Sequence, residues 1–475
     1  KPGRSARAAA ATMAHTGTLA GSYEVYASIC QQYGIILVED LDQMIETLGL
    51  LSGTRRIPGR PGVALVNTSG GENALILDIA QNVGLQLPAP SEPTAAALRS
   101  TLPDFAPVGN PLDVTGALFF DNASYRRCIR ALADDESVGT MIIMQDLVGK
   151  RAAAINRMLF QSIADSIIEL ARAVDKPVFL LSGISGEIEP SIRELLGQAE
   201  VPVLEGMRKG LRAVAQYVDW ATYLRRPGLV ERLARRLDAM GNTSGLPVGL
   251  ADVVAAFPGP IGERGAKAVL GQYGLPVTRE ALAKDAPGAV DAANALGYPV
   301  VLKIDSPDIL HKTDVGGVRL GLADPAAVSV ACEEMLATVR RRAPTARING
   351  VLVQEMVTEG AEVVLGMKRD DGFGPMVLFG LGGVFVEVLS AFSLRQAPID
   401  EAEAEEMIRG TPGYAVLMGA RGRPPADLPA LVHTLVLFSN FCVEAASALR
   451  EIDLNPVVVL PKGQGVRILD ALFIP

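Results

Sequence analysis

Only three histidines occur in 475 residues, and two fall where chemistry is easy to reach. His15 lies in Met13-Ala14-His15-Thr16-Gly17-Thr18-Leu19-Ala20-Gly21, among small residues that allow close approach. Imidazole is a nucleophile at neutral pH and can take up a phosphoryl group, which makes His15 a candidate phosphate carrier. The residues alone fit a capping or surface histidine as well. His311 lies in a polar stretch bounded by Pro307 and Gly316-Gly317, ahead of a strand at Val318. His433 sits on an apolar helical pattern and reads as structural.

Other residues suggest where a phosphate could rest. Val63 to Val66 reads as a buried strand that turns through Asn67-Thr68-Ser69-Gly70-Gly71 into a helix. Free amide N–H groups and the positive helix end make Ser69, Gly70 and Gly71 a candidate phosphate site, with an ordinary strand-to-helix turn as the alternative. Lys303 interrupts the apolar strand Val300 to Ile304. A lysine buried there needs an anionic partner, and a nucleotide phosphate would supply it. Arg395 can neutralise a developing phosphoryl charge. Asn455 and Asp470 offer hard oxygens from two adjacent strands, which suits Mg²⁺; an Asn-Pro turn accounts for Asn455 but not for Asp470. No Walker A sequence is present.

The elements that must position these groups follow from pattern. A hydrophobic content of 49%, with 5% aromatic residues, suits α/β layers, and the length implies several domains. The net charge of −9 argues against a nucleic-acid surface. The basic run Arg225, Arg226, Arg232, Arg235 and Arg236 reads as a solvated linker face. Four scattered cysteines point to reduced thiols in a cytoplasmic protein. The apolar runs 375–392 and 431–449 are interrupted by Glu387, His433 and Glu444, so they read as core segments rather than membrane spans. An amphipathic helix is expected over Tyr23–Gln32, a short strand over Ile35–Val38 and an Asp40-capped helix to Leu51. Strands at 138–144, 177–181 and 202–204 alternate with helices at 161–174 and 190–198, a flavodoxin-like doubly wound pattern, with Asp113 as a loop cap before them.

The stretch Ala14 to Gly21, preceded by Lys1-Pro2-Gly3-Arg4-Ser5 and followed by Tyr23 to Met44, resembles the histidine loop of the NDP-forming (ADP-forming) acyl-CoA synthetases, relatives of succinyl-CoA synthetase. The resemblance runs to Pro475. It implies an α/β chain of flavodoxin-like doubly wound domains followed by an ATP-grasp module. Residues 1–52 would be the end of a succinyl-CoA-synthetase-like domain, 53–222 a flavodoxin-like ligase-CoA domain, 223–262 a linker and 263–475 the ATP-grasp domain. The family's phosphorylated histidine maps onto His15, with the Ser69–Gly71 helix start facing it. His311 becomes a second carrier or a residue that only orients phosphate, and Gly316-Gly317 candidates for a swing between sites. Gln354 and Glu355 would lie on the strand that presents its edge to adenine. Glu362 would touch ribose or phosphate, or simply face solvent. Asn455 and Asp470 would hold the metal, with Asp453 behind them.

The implied activity is ATP-dependent, ADP-forming ligation of a small organic acid to CoA through a phosphohistidine and an acyl phosphate, with Mg²⁺. No nucleic acid or membrane is involved, and an oligomer is expected. By resemblance the chain is a fragment lacking the N-terminal CoA-binding domain, which a separate subunit or the missing region would supply. One departure matters: Ala391 stands where the family has an aspartate. It favours the alternative, a nucleotide-binding regulatory or degenerate homologue without turnover.

Overall fold

A computed structural model gives the structure and describes residues 4–5, 7–8, 22–116, 118, 121–147, 154–186, 188–241, 245–256, 259–309, 311–382, 392–419 and 424–475. The chain forms two compact units, Tyr33–Leu229 and a second built from Pro2–Gln32 with Val230–Pro475. The helix α1 (Tyr23–Gln32) has the bounds expected from its pattern and belongs to the second unit.

The first unit opens with α2 (Leu41–Gly53), whose Asp40 cap accepts from the Gln43 amide at 2.7 Å. There follow β1 (Gly62–Asn67), α3 (Gly70–Val83), β2 (Leu112–Asp113), α4 (Asn122–Asp134), β3 (Val138–Met144), α5 (Ala154–Ala173), β4 (Val178–Ser182), α6 (Pro190–Gln198), β5 (Val203–Glu205) and α7 (Met207–Leu224). The sheet is parallel, in the order β2-β1-β3-β4-β5. Every residue of β1, β3 and β4 is buried, which is why these strands are continuous apolar runs rather than alternating ones. One core lies between the sheet and α4, α5 and α6; the other joins it to α2, α3 and α7. This is the flavodoxin-like doubly wound arrangement, with its order reversing at β1/β3.

Ile35–Val38 is not a strand. Ile35 is 54% exposed, and the Leu37 carbonyl is taken at 3.0 Å by the Gln216 side chain of α7 instead of by a ladder.

The second unit continues with α8 (Leu229–Gly241), α9 (Glu263–Gln272), β6 (Glu280–Ala283), α10 (Ala286–Leu296), β7 (Val300–Asp305), β8 (Val318–Leu322), α11 (Pro325–Arg342) and β9 (Gly350–Glu355). The antiparallel sheet β6-β9-β7-β8 is covered by α10 and α11. A larger antiparallel sheet follows, from β10 (Ala361–Asp370), β11 (Gly374–Leu381), β12 (Phe392–Gln396), β13 (Glu451–Val459), β14 (Val466–Ile468) and β15 (Leu472–Ile474). Helices α12 (Glu401–Gly410) and α13 (Leu428–Ala445) pack on it. Among the described residues α13 alone is long and apolar enough to cross a membrane. Its Leu431, Leu435, Phe438, Phe441 and Cys442 are fully buried in this core, each such side chain contributing about 1.5–3 kcal/mol.

The basic run is not one solvated face. Arg236 is 1% exposed and paired with Glu403, and Arg232 donates to Asp400 at 2.6 Å. The start of α12 supplies the carboxylates that draw α8 inward.

Candidate functional site

In the second unit, six ionisable side chains meet around the Leu469 carbonyl, where the two sheets approach. Lys303 on β7 donates to Glu263 at 2.6 Å and to the Leu469 carbonyl at 2.8 Å. Lys312 donates to the other Glu263 oxygen at 2.5 Å and to Asp470 at 3.4 Å. Lys267, one helical turn after Glu263 on α9, pairs with Glu280 and donates to Thr278 at 2.7 Å. Gln354 on β9 donates to Thr278 at 2.6 Å and to Leu469 O at 3.1 Å, leaving its Oε1 a buried acceptor without a partner. Three ammoniums thus face three carboxylates: Glu263, Glu280 and Asp470.

Burial works to raise the Glu263 carboxyl, but Lys303, Lys312 and Lys267 overcome it and hold the group below the usual carboxylate range. Burial raises Asp470, with Glu263 adding to the effect against the two lysines. Burial would lower Lys312, yet Glu263 and Asp470 keep its ammonium above the usual value.

The pair expected to hold a metal, Asn455 and Asp470, lies alongside. β13 pairs with β14 as Val457↔Ile468 and with β15 as Asp453↔Leu472, and the Leu469 amide donates to the Pro456 carbonyl at 3.0 Å. The two ladders keep the same register on either side of a gap at 469–471, which puts Asn455 level with Asp470, and Asp453 two residues further along β13. Burial, then Asp470 and Glu451, raises the Asp453 carboxyl. One carboxylate and one amide oxygen make a donor set that fits Mg²⁺, which keeps waters and takes few protein ligands.

The remaining expected residues fall into place unevenly. His311 is exposed and immediately precedes Lys312. Gly316 takes φ +73°, and Gly317 packs so tightly that a Cβ would sit 2.5 Å from Ile304 Cγ2. Glu355 is held by Arg279, which donates its amide at 3.0 Å and its Nε at 2.7 Å. Glu362 is exposed on β10, and Arg395 is buried on β12, where its guanidinium donates to the Leu394 carbonyl at 2.8 Å. His15 and Ala391 lie outside the described residues.

In the first unit, Ser69 caps α3 without a side-chain bond, and the exposed Ser69, Gly70 and Gly71 start the helix as expected. A Cβ on Gly70 would sit 2.8 Å from Asp113 Oδ2, and Asp113 itself accepts from the Thr115 amide at 2.7 Å. A cavity of about 260 Å³ opens here at the β1/β3 reversal, lined by Thr68, Ser69, Glu72, Gln145, Asp146 and Phe160 among others. Ligands in such sheets bind outside the strand ends at this point. Burial, then Asp146, raises the Glu72 carboxyl.

Sequence reasoning missed Glu263, Lys267, Lys312 and Glu280. A signal was present: Glu263 and Lys267 are one helical turn apart, and Lys312 adjoins His311. Nothing local distinguishes that helix pair from a surface one.

Family models match three segments: an ATP-grasp domain at residues 259–474, a Ligase-CoA domain at 63–207 and a succinyl-CoA ligase like flavodoxin domain at 1–51. The chain is 34% identical over 466 residues to ADP-forming acetate–CoA ligase I of Archaeoglobus fulgidus, covering 98% of this chain and 64% of that protein. It is 43% identical over 209 residues to the beta subunit of ADP-forming acetate–CoA ligase II of Pyrococcus furiosus, covering 44% of this chain and 89% of that subunit. A solved acetyl-coenzyme A synthetase 1 chain from Ca. Korarchaeum cryptofilum, in complex with coenzyme A, Ca-AMPCP and HgCl⁺, is 42% identical over 47% of this chain and 97% of that one, at a TM-score of 0.46. The chain spans 64% and 65% of the length of the Archaeoglobus enzyme and of the Nitrosopumilus maritimus 4-hydroxybutyrate–CoA ligase. With nearly all of a subunit covered at 43% identity, the chain belongs to the ADP-forming acyl-CoA ligase family.

Proposed function

We propose that the chain carries the phosphoryl-transfer chemistry of an ATP-dependent acid–CoA ligase that forms ADP. The observation that carries this reading is the Lys303–Lys312–Glu263 cluster lying against Asp470, next to the register-matched Asn455. Phosphate oxygens of ATP would take the ammoniums of Lys303 and Lys312 in exchange for Glu263. Gln354 and Glu355, at the end of β9, would present that strand's edge to adenine. Asn455 and Asp470 would hold Mg²⁺, which supplies charge neutralisation to the phosphates.

A histidine nitrogen then attacks the γ-phosphorus while the bond to the bridging oxygen breaks and ADP leaves with its electron pair. His15 is the carrier in this reading, and His311 either relays the group or orients it. A carboxylate oxygen of the acid next displaces the imidazole, giving an acyl phosphate, and the CoA thiolate displaces inorganic phosphate. Each step is transfer between positioned groups, so the protein's task is orientation and charge neutralisation. Ser69–Gly71, at a helix start beside a cavity, is the proposed phosphate rest in the first unit.

The proposed division keeps 1–52, 53–222, 223–262 and 263–475 as its segments. The substrates are a small organic acid and CoA, and the CoA-binding part comes from a further region or subunit. The location is cytoplasmic, which the four buried free cysteines support, in an oligomer without nucleic-acid or membrane partners. The test is incubation with γ-labelled ATP and Mg²⁺. Alkali-stable label on His15, with or without His311, supports the reading. ATP bound without label supports the alternative that Ala391 favours, a nucleotide-binding homologue without turnover.

A further inference from the structure

The cavity of about 260 Å³ in the first unit opens where the carboxyl ends of β1 and β3 part, flanked by α3 and α5. Its apolar lining includes Leu147 and, on α5, Leu159, Phe160 and Ile163. Leu147 and Ile163 are buried, so this wall is continuous with the core under α5. Thr68, Ser69, Glu72, Gln145 and Asp146 supply the polar lining. Among the described residues no lysine, arginine or histidine borders the cavity, so both of its charged groups are carboxylates.

Acceptors are left over around it. Gln145 is 7% exposed; its Nε2 donates to Thr68 Oγ1 at 3.3 Å, and its Oε1 has no partner among the described residues. Asp146 Oδ1 accepts from the Ser182 hydroxyl at 2.9 Å and from the Gly183 amide at 2.8 Å, while its Oδ2 has no partner among the described residues. Glu72, in the first turn of α3, makes no hydrogen bond or ion pair among the described residues, and the Asp146 carboxylate acts on it. A nearly buried acceptor without a donor is costly, so the lining as a whole calls for a ligand that brings donors. Donors of the protein itself stand only at the α3 start, where Ser69 caps without a side-chain bond and Gly70 and Gly71 carry the first helical amides.

We infer that this cavity holds the chain of the acid substrate, and that the acid is a monocarboxylate whose tail carries a hydrogen-bond donor, a hydroxyl or an ammonium. The inference deepens the functional reading above and rests on it. The carboxylate takes the amides at the α3 start, beside the proposed phosphate rest. The carbon chain lies against Leu159, Phe160 and Ile163, and the tail donor answers Gln145, Asp146 and Glu72. Size limits the chain: at about 30 Å³ for each water-sized group, roughly six to nine non-hydrogen atoms fit. Charge limits it further. The helix start compensates one carboxylate, whereas a second would meet Glu72 and Asp146 with no cation in the lining. A dicarboxylic acid of the same length is therefore rejected, and Glu72 is the residue that sets this choice.

The test is calorimetric titration of the whole chain at pH 8, without nucleotide, with four acids of one length: butanoate, 4-hydroxybutanoate, 4-aminobutanoate and butanedioate. The hydroxy or the amino acid should bind at least tenfold more tightly than butanoate, and whichever is tighter names the tail. Butanedioate should bind at least tenfold more weakly than butanoate. Glu72→Gln should tighten butanedioate and weaken 4-aminobutanoate, each at least fivefold, with butanoate within twofold. Leu159→Trp fills the cavity and should weaken every acid at least tenfold at an unchanged melting temperature. Should Leu159→Trp not fold, Glu72→Gln decides, since Glu72 is half-buried and holds no bond among the described residues. Butanoate or butanedioate as the tightest ligand, affinities unmoved by Glu72→Gln, or no binding of any acid to the wild-type chain overturns the inference. These titrations need no ATP, so a chain that takes the γ-label yet fails them loses this inference alone. A chain that never takes the label loses the functional reading.

Discussion

Replacing Glu263 by glutamine tests the centre of the site. The Glu263 carboxylate is 3% exposed as a residue and lies 2.6 Å from Lys303 and 2.5 Å from Lys312. At an effective dielectric of about 20, each contact has a gross attraction of about 6 kcal/mol. Desolvation of the three ions cancels most of it. Removing one partner of such a buried group nonetheless costs about 3–5 kcal/mol, because the remaining charges are left uncompensated. Glu263→Gln leaves three ammoniums against Glu280 and Asp470, so the ligand-free protein should lose about that much. For a unit of this size the melting temperature should fall by roughly 6–20 °C.

The second half of the prediction has the opposite sign. A polyphosphate brings the negative charge the variant lacks, so part of the loss returns on binding. If half returns, about 2 kcal/mol, the variant binds ATP or ADP about thirtyfold more tightly than wild type. Thermal unfolding with and without nucleotide, together with calorimetric titration, reads both numbers. The pH dependence adds a sign check. Glu263 is held below its ordinary value of 4.5, so its contribution is present above that pH and fades as pH falls beneath it. The variant should lack this part of the acid limb. A stable variant, or an unstable one whose nucleotide affinity is unchanged or weaker, refutes the idea that Glu263 and phosphate compete for the same lysines.

Three further outcomes follow from the geometry. Lys312→Met should weaken ATP and ADP binding about tenfold to a hundredfold, the worth of a charge-assisted hydrogen bond, and leave AMP binding unaltered; equal loss for AMP would place Lys312 away from the β- and γ-phosphates. Asp470→Asn should raise the Mg²⁺ concentration for half-maximal labelling tenfold or more at fixed ATP, and an unmoved midpoint removes Asp470 from the metal. Gly317→Ala should cost about 1–3 kcal/mol in a melting experiment, because the new Cβ would meet Ile304 Cγ2 at 2.5 Å and the Lys312 carbonyl at 2.9 Å; an unchanged melting temperature means the turn relaxes freely.

Local pattern was enough where structure is local. The amphipathic spacing of Tyr23–Gln32 and the apolar runs of β3 and β1 set those elements, because burial on one stripe or on both faces writes itself into consecutive residues. Lys303 was legible in the same way, since a lysine in an apolar strand has to meet an anion. The identity of that anion was not. Glu263 is 40 residues away in sequence, and the contact exists only because α9 is brought against β7. Arg236 fails similarly: on α8 it has the neighbours of a solvated arginine, and only the start of α12 makes it a buried one. Ile35–Val38 has strand composition but is not paired into a ladder. A residue type restricts what a group needs, whereas the tertiary fold decides which group answers.

Three carboxylates balance the three ammoniums of the lysine cluster, and that balance shapes how it can act. A site with three free ammoniums would hold any polyphosphate tightly and release ADP slowly. Here Glu263, Glu280 and Asp470 already occupy the lysines, so binding is an exchange of carboxylate for phosphate oxygen rather than an addition of charge. Exchange keeps the net gain small for the ground state. It leaves the full attraction of Lys303 and Lys312 available when negative charge shifts between the γ-phosphate and the leaving oxygen. Asp470 is part of both sets, facing Lys312 and standing opposite Asn455, so a metal arriving there would also loosen its hold on Lys312. On the proposed reading, metal and nucleotide therefore favour each other's binding through one carboxylate. Asp470→Asn should weaken that coupling as well as the metal affinity itself.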